Sequence, residues 1–111
     1  MHLKTDQLTL DEMNKITVLL MQALWGAISP NFRMIAISFN APIWKLRFAL
    51  EIDSDVDREE VEDVTGEFET LLLDLDGGNF KFEVETMIGA EPLPLLDHSL
   101  WRVVFLRREG R

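Results

Sequence analysis

From Trp44 to Ile52 every second residue is apolar. Trp44, Leu46, Phe48, Leu50 and Ile52 share one phase, and Lys45, Arg47 and Glu51 share the other. Successive side chains of a strand point to opposite faces, so this pattern specifies a half-buried β-strand. The stretch from Asn79 to Ile88 repeats it, with Phe80, Phe82 and Val84 inward and Lys81, Glu83 and Glu85 outward. A sheet apolar on one face must be covered on that face by a second layer.

The remaining segments supply that layer. Thr9 and Glu12 form a capping-box pattern ahead of a helix that runs to about Trp25, with Gly26 placed to end it. Leu10, Met13, Thr17, Leu20 and Leu24 make one stripe, and Val18, Leu19, Met21 and Trp25 widen it. Such a helix is buried on more than one side, against the sheet and against a neighbouring helix or a second subunit. The run KITVLLMQALWGAIS is too short to span a bilayer and has no A-x-A-like cleavage pattern, so it reads as this buried helix and not as a signal peptide. FRMIAISF then reads as a strand apolar on both faces. Asn40-Ala41-Pro42 is a turn that makes it a hairpin with the alternating strand.

A second helix follows, with Asp57 as its expected N-cap and Glu60 three residues on. Val61, Val64, Phe68, Leu71, Leu72 and Leu75 fall at helical spacing before Gly77-Gly78. After the alternating strand at 79–88, the loop GAEPLPLLDHS leads to a last strand, LWRVVFLRR. The order is αββαββ over residues 1–111 as a single domain. This predicts a two-layer α+β fold, a four-stranded largely antiparallel sheet with both helices on one face. One topology compatible with the order is a circular permutant of the ferredoxin-like arrangement.

Charge narrows the function classes. The net charge is −9, and residues 51–78 hold twelve of the twenty acids against one base, Arg58. A nucleic-acid binder needs a basic footprint, and an anionic membrane surface would repel this chain, so neither is expected as the partner. Ferredoxin-like RNA-binding sheets expose aromatics, whereas Phe48, Phe80 and Phe82 share the phase that faces the helices. Without cysteine there is no disulfide and no thiolate metal site, which fits a cytoplasmic location.

Chemical motifs are sparse. Asp53-x-Asp55-x-Asp57 opens like a calcium loop, but the sixth position is Arg58 where glycine is needed. The twelfth is Val64 where a bidentate glutamate is needed. No metal or cofactor is expected. Asp97-His98-Ser99 contains the residue types of a nucleophilic triad, yet loop neighbours do not converge as nucleophile, base and orienter. No catalytic residue is assigned. Trp25, Trp44 and Trp101 are read first as core residues and second as interface anchors.

The acidic helix carries more information. Acids in a first turn offset the helix dipole, which accounts for Asp57, Glu59 and Glu60. Glu67, Glu69, Asp74 and Asp76 lie where the dipole disfavours anions. Glu59 with Asp63, and Asp63 with Glu67, are like-charge pairs at i,i+4, each costing about 0.2–0.5 kcal/mol. A surface shaped by stability alone would mix signs. An acidic ridge facing a basic protein accounts for the excess. The candidate partner-binding residues are Asp55, Asp57, Glu59, Glu62, Asp63, Glu67, Glu69 and Asp74.

ISPNFRMIAISF, KLRFALE, FEVET, EPLPLL and WRVVFLRRE, arranged around an acidic helix, resemble small bacterial immunity proteins of contact-dependent growth inhibition systems. The resemblance covers about Leu24 to Glu109. It implies a cytoplasmic, non-enzymatic protein that binds and neutralises the toxic C-terminal domain of a contact-delivered effector, often a tRNA-cleaving nuclease. Two other readings stand beside it. One is a small acidic regulatory protein that forms a homodimer through its first helix, with no toxin partner. The other is an enzyme using the Asp97-His98 loop.

Overall fold

A computed structural model describes residues 8–39, 43–76, 81–97 and 99–109. Along the chain lie α1 (Leu10–Ala23), β1 (Phe32–Ser38), β2 (Trp44–Leu50), α2 (Asp55–Asp76), β3 (Phe82–Ile88) and β4 (Trp101–Leu106). This is the expected αββαββ order. The turn at Asn40-Ala41-Pro42, the Gly77-Gly78 stop, Phe80 and both histidines lie outside the described residues.

The strands form one sheet in the order β3-β2-β1-β4. β1 pairs antiparallel with β2 and with β4, while β2 and β3 run parallel. The sheet is therefore mixed and largely antiparallel. A permuted ferredoxin-like sheet would insert β4 between β2 and β3. Here β4 adds outside β1, which leaves β2 and β3 as direct neighbours joined by the α2 crossover, so the ferredoxin-like strand order is not adopted.

The helices share one face. Ile16 and Leu20 of α1 and Val61, Val64, Phe68 and Leu72 of α2 pack with Ile35, Ile37, Trp44, Leu46, Phe48 and Leu50. The alternating strand behaves as its pattern dictates: Trp44, Leu46, Phe48 and Leu50 are fully buried. Ile52 lies beyond the end of β2 and is exposed. The capping box is present, with the Glu12 N–H donating to Thr9 Oγ1 at 3.1 Å and the Thr9 N–H to Glu12 Oε1 at 2.9 Å. Gly26 takes a φ of +79° just past the helix, a conformation that favours glycine.

The opposite face is not simply open to solvent. Leu93 and Leu96 of the proline-containing loop pack over Met34, Ala36, Ala49 and Met87. This second, smaller core explains why β1 is apolar on both faces and buried at all seven positions. Arg33 sits where the β1–β2 register shifts and is nearly fully buried. Its Nη1 donates to the Gly89 and Glu91 carbonyls at 2.9 and 2.8 Å, fastening the loop, and its guanidinium closes on Glu109. A buried arginine is tolerated only when its donors are met in this way.

Candidate interaction surface

α2 is a 22-residue helix with no basic residue in its last turn. Its buried stripe is Asp57, Val61, Val64, Phe68 and Leu72, and most of the rest of its circumference is exposed. The N-terminus differs from expectation. Ser54 caps the helix: its Oγ accepts from the Asp57 N–H at 3.3 Å and its carbonyl accepts from the Arg58 N–H at 2.9 Å. Asp57 is thus moved into the first turn and onto the inward face.

That shift corrects the role of Asp57. It is 7% exposed, and both carboxylate oxygens are occupied. Ser29 Oγ donates to Oδ1 at 2.9 Å and Asn31 Nδ2 donates to Oδ2 at 2.9 Å. Asn31 also donates to the Ile52 carbonyl at 2.8 Å and accepts from the Ile52 N–H at 2.9 Å. Asp57 therefore ties the turn before β1 to the start of α2, and its carboxylate has little surface to offer a partner.

Asp55, Glu59, Glu62, Asp63, Glu67, Glu69 and Asp74 are all exposed. None of them forms an ion pair among the described residues. Arg58, the one base among residues 51–78, turns back to Asp53 at 2.5 Å. Its hydrogen bond holds the Asp53 carboxyl below the usual carboxylate range. The seven acids do not form a single ridge. Glu62 and Glu69 border a groove against β3, whereas Asp63, Glu67 and Asp74 project from the opposite flank.

The groove has a volume of about 400 Å³ and lies between α2 and the edge strand β3. Arg58, Val61, Glu62, Thr65, Gly66 and Glu69 of α2 line it with Val84 and Thr86 of β3, and Arg58 is paired with Asp53. Val84, expected to be inward, is 40% exposed because α2 does not close over the sheet edge. Sequence reasoning missed this feature. Its one signal was Gly66, a glycine inside an otherwise regular helical pattern.

The other motifs resolve as structure. Asp53 is held by Arg58 and Asp57 faces Ser29 and Asn31, so the calcium-loop carboxylates diverge. In the Asp97 loop, Ser99 donates through its N–H and Oγ to Asp97 Oδ1 at 2.9 and 2.6 Å, a local turn. The tryptophans have three different environments. Trp44 is fully buried, Trp101 lies half-buried beneath the Arg47 guanidinium at 4.3 Å, and Trp25 is 90% exposed. Leu10, Val18 and Met21 leave an exposed apolar stripe along α1, and Trp25 extends it just past the end of the helix. Leu10 is therefore not part of the inward stripe, whose buried positions include Ile16 and Ala23 instead. Among the described residues no helix is long and apolar enough to cross a membrane.

A small α+β domain whose exposed helix carries acids without ion pairs among the described residues presents a surface that suits a basic partner, and comparison with known families specifies the class. The model of the MafI2 immunity protein family matches residues 13–109, and the chain belongs to that family. It is accordingly a toxin-neutralising immunity protein. Comparison with curated proteins gave no match. The toxin–immunity part of the resemblance read from the sequence is thus shown, while contact-dependent delivery is not part of the family description.

Proposed function

We propose that this chain neutralises a nuclease toxin by laying the exposed half of α2 against the basic surface with which that toxin binds its nucleic acid. The observation that carries this reading is the set of unpaired acids in the middle and C-terminal part of the helix, Glu62, Asp63, Glu67, Glu69 and Asp74. Asp63 and Glu67 repel each other at i,i+4 and Asp74 lies in the last turn, where the dipole disfavours an anion, and no ion pair among the described residues offsets these costs. A nuclease attracts phosphate with lysine and arginine, and a carboxylate array competes for the same groups. Inhibition of this kind requires binding and no catalysis. It takes place in the cytoplasm of the protected cell. A tRNA-cleaving toxin delivered by cell contact is the target that the sequence resemblance favours.

The test is protection. Cells expressing the cognate toxin domain should survive with the wild-type protein and die with a variant carrying Glu62, Asp63, Glu67 and Glu69 as lysines. Survival with that variant at equal protein level would overturn the reading.

A second reading concerns α1. Leu10, Val18, Met21 and Trp25 expose an apolar face whose adjacent charges, Asp11 and Lys15, neutralise each other at 3.5 Å. On a chain of net charge −9, a nearly neutral apolar face is where a second copy can approach without repulsion. A homodimer through α1 leaves α2 free for the toxin.

A further inference from the structure

We propose that the groove between α2 and β3 receives an extended, lysine- or arginine-bearing segment of the toxin, which adds to the sheet as a fifth strand beside β3. This deepens the toxin-neutralising reading and rests on it.

The first support is the phase of the edge. The Trp44 N–H donates to the Lys81 carbonyl at 3.0 Å, and the Gly89 N–H donates to the Leu50 carbonyl at 3.0 Å. With β2 and β3 parallel and in continuous register, these two bonds commit the odd-numbered residues of β3 to β2. Val84 and Thr86 therefore turn their N–H and C=O groups outward, away from the sheet. They are also the two β3 residues whose side chains line the groove. β3 is seven residues long, with no proline and no register shift, so neither a proline nor a bulge blunts this edge.

The second support is Gly66. A glycine within a helix destabilises it by about 1 kcal/mol relative to alanine. No close approach among the described residues requires it: a Cβ there would meet nothing within 4 Å. On the groove wall, the missing side chain leaves a notch between Glu62 and Glu69, which lie four residues before and three after on the same flank. A strand seated on Val84 and Thr86 would pass this notch with one row of side chains reaching the two glutamates.

Charge selects the occupant. A second copy of this chain, pairing β3 with β3, would bring two grooves that each carry Glu62 and Glu69 close together on a chain of net charge −9, whereas Arg58, the one base in the lining, is already paired with Asp53. A basic segment meets those acids favourably. Backbone pairing then supplies affinity, and the groove and its acidic rim supply selectivity.

The experiment compares three proteins against the cognate toxin domain, made inactive by substitution and titrated by calorimetry. Thr86→Pro removes an outward N–H without breaking a bond to β2, as proline at a sheet edge permits. Gly66→Leu fills the notch with a better helix former. Both variants should melt at or above the wild-type temperature or within a few degrees below it, yet bind the toxin domain at least about thirtyfold more weakly. Wild-type binding with both variants within about twofold would overturn the groove and leave the immunity reading standing. Failure of the wild-type protein to bind would overturn that reading, and the groove with it. A wild-type dimer that Thr86→Pro converts to monomer would assign the edge to a second copy and contradict a toxin strand.

Discussion

Asn31 Nδ2 donates to Asp57 Oδ2 at 2.9 Å, joining the turn that enters β1 to the first turn of α2. With Ser29 on the other oxygen, the carboxylate satisfies two side-chain donors in a partly buried site. Asp57→Ala would leave those donors unmet, at a cost of about 1–3 kcal/mol. Urea denaturation should show a lower midpoint for Asp57→Ala. Glu67→Ala, on the exposed flank, should stay within about 0.5 kcal/mol of wild type. Equal effects would remove the distinction drawn between the inward and outward acids of this helix.

Acid should loosen the C-terminal fastening. Arg33 first, and then Arg107, hold the Glu109 carboxyl below its ordinary value of 4.5. The folded chain therefore binds that proton less readily than the unfolded chain. The stabilisation is complete above the ordinary value and is lost as the pH falls through the lower folded one. Thermal midpoints should decline below about pH 4.5, and Glu109→Gln should make that decline shallower. A variant with the wild-type slope would show that the pair does not contribute.

Gly66→Ala should stabilise the free protein by about 0.5–1 kcal/mol, since the helix gains propensity and the new Cβ meets open space. Urea melts read this directly. A loss of stability would mean that the notch is filled from within the chain.

What could be read from the sequence follows from how local each signal is. The alternation of Trp44 to Leu50, the Thr9 cap and the Val61–Leu72 stripe are short-range patterns, and each holds in the structure. Asp57 was misplaced because Ser54, three residues earlier, is an equally good cap. Only the donors Ser29 and Asn31, distant in sequence, decide between the two. The cover of Leu93 and Leu96 over β1 and the placement of β4 beyond β1 depend on long-range pairing, which hydropathy does not encode. The candidate acids were found by charge. Their division between two flanks, and the groove between them and β3, needed the position of the sheet edge.

The exposed stripe of α1 should govern self-association. Sedimentation equilibrium is expected to show a dimer for the wild-type protein, and Val18→Glu with Met21→Glu should give a monomer that keeps its fold and its toxin binding. These side chains are about half exposed, so the substitutions do not enter the core. A wild-type monomer at high concentration would exclude the second-copy reading.

The affinity of the isolated toxin domain for the immunity protein, measured by calorimetry at low and at physiological salt, decides whether the acids of α2 hold the toxin. Wild-type binding should weaken steeply as salt rises. The variant with Glu62, Asp63, Glu67 and Glu69 changed to lysine should lose at least about a hundredfold at low salt while keeping a normal melting transition. Binding of that variant within about twofold of wild type, with no salt dependence in either protein, would rule out the acids of α2 as the toxin-binding surface.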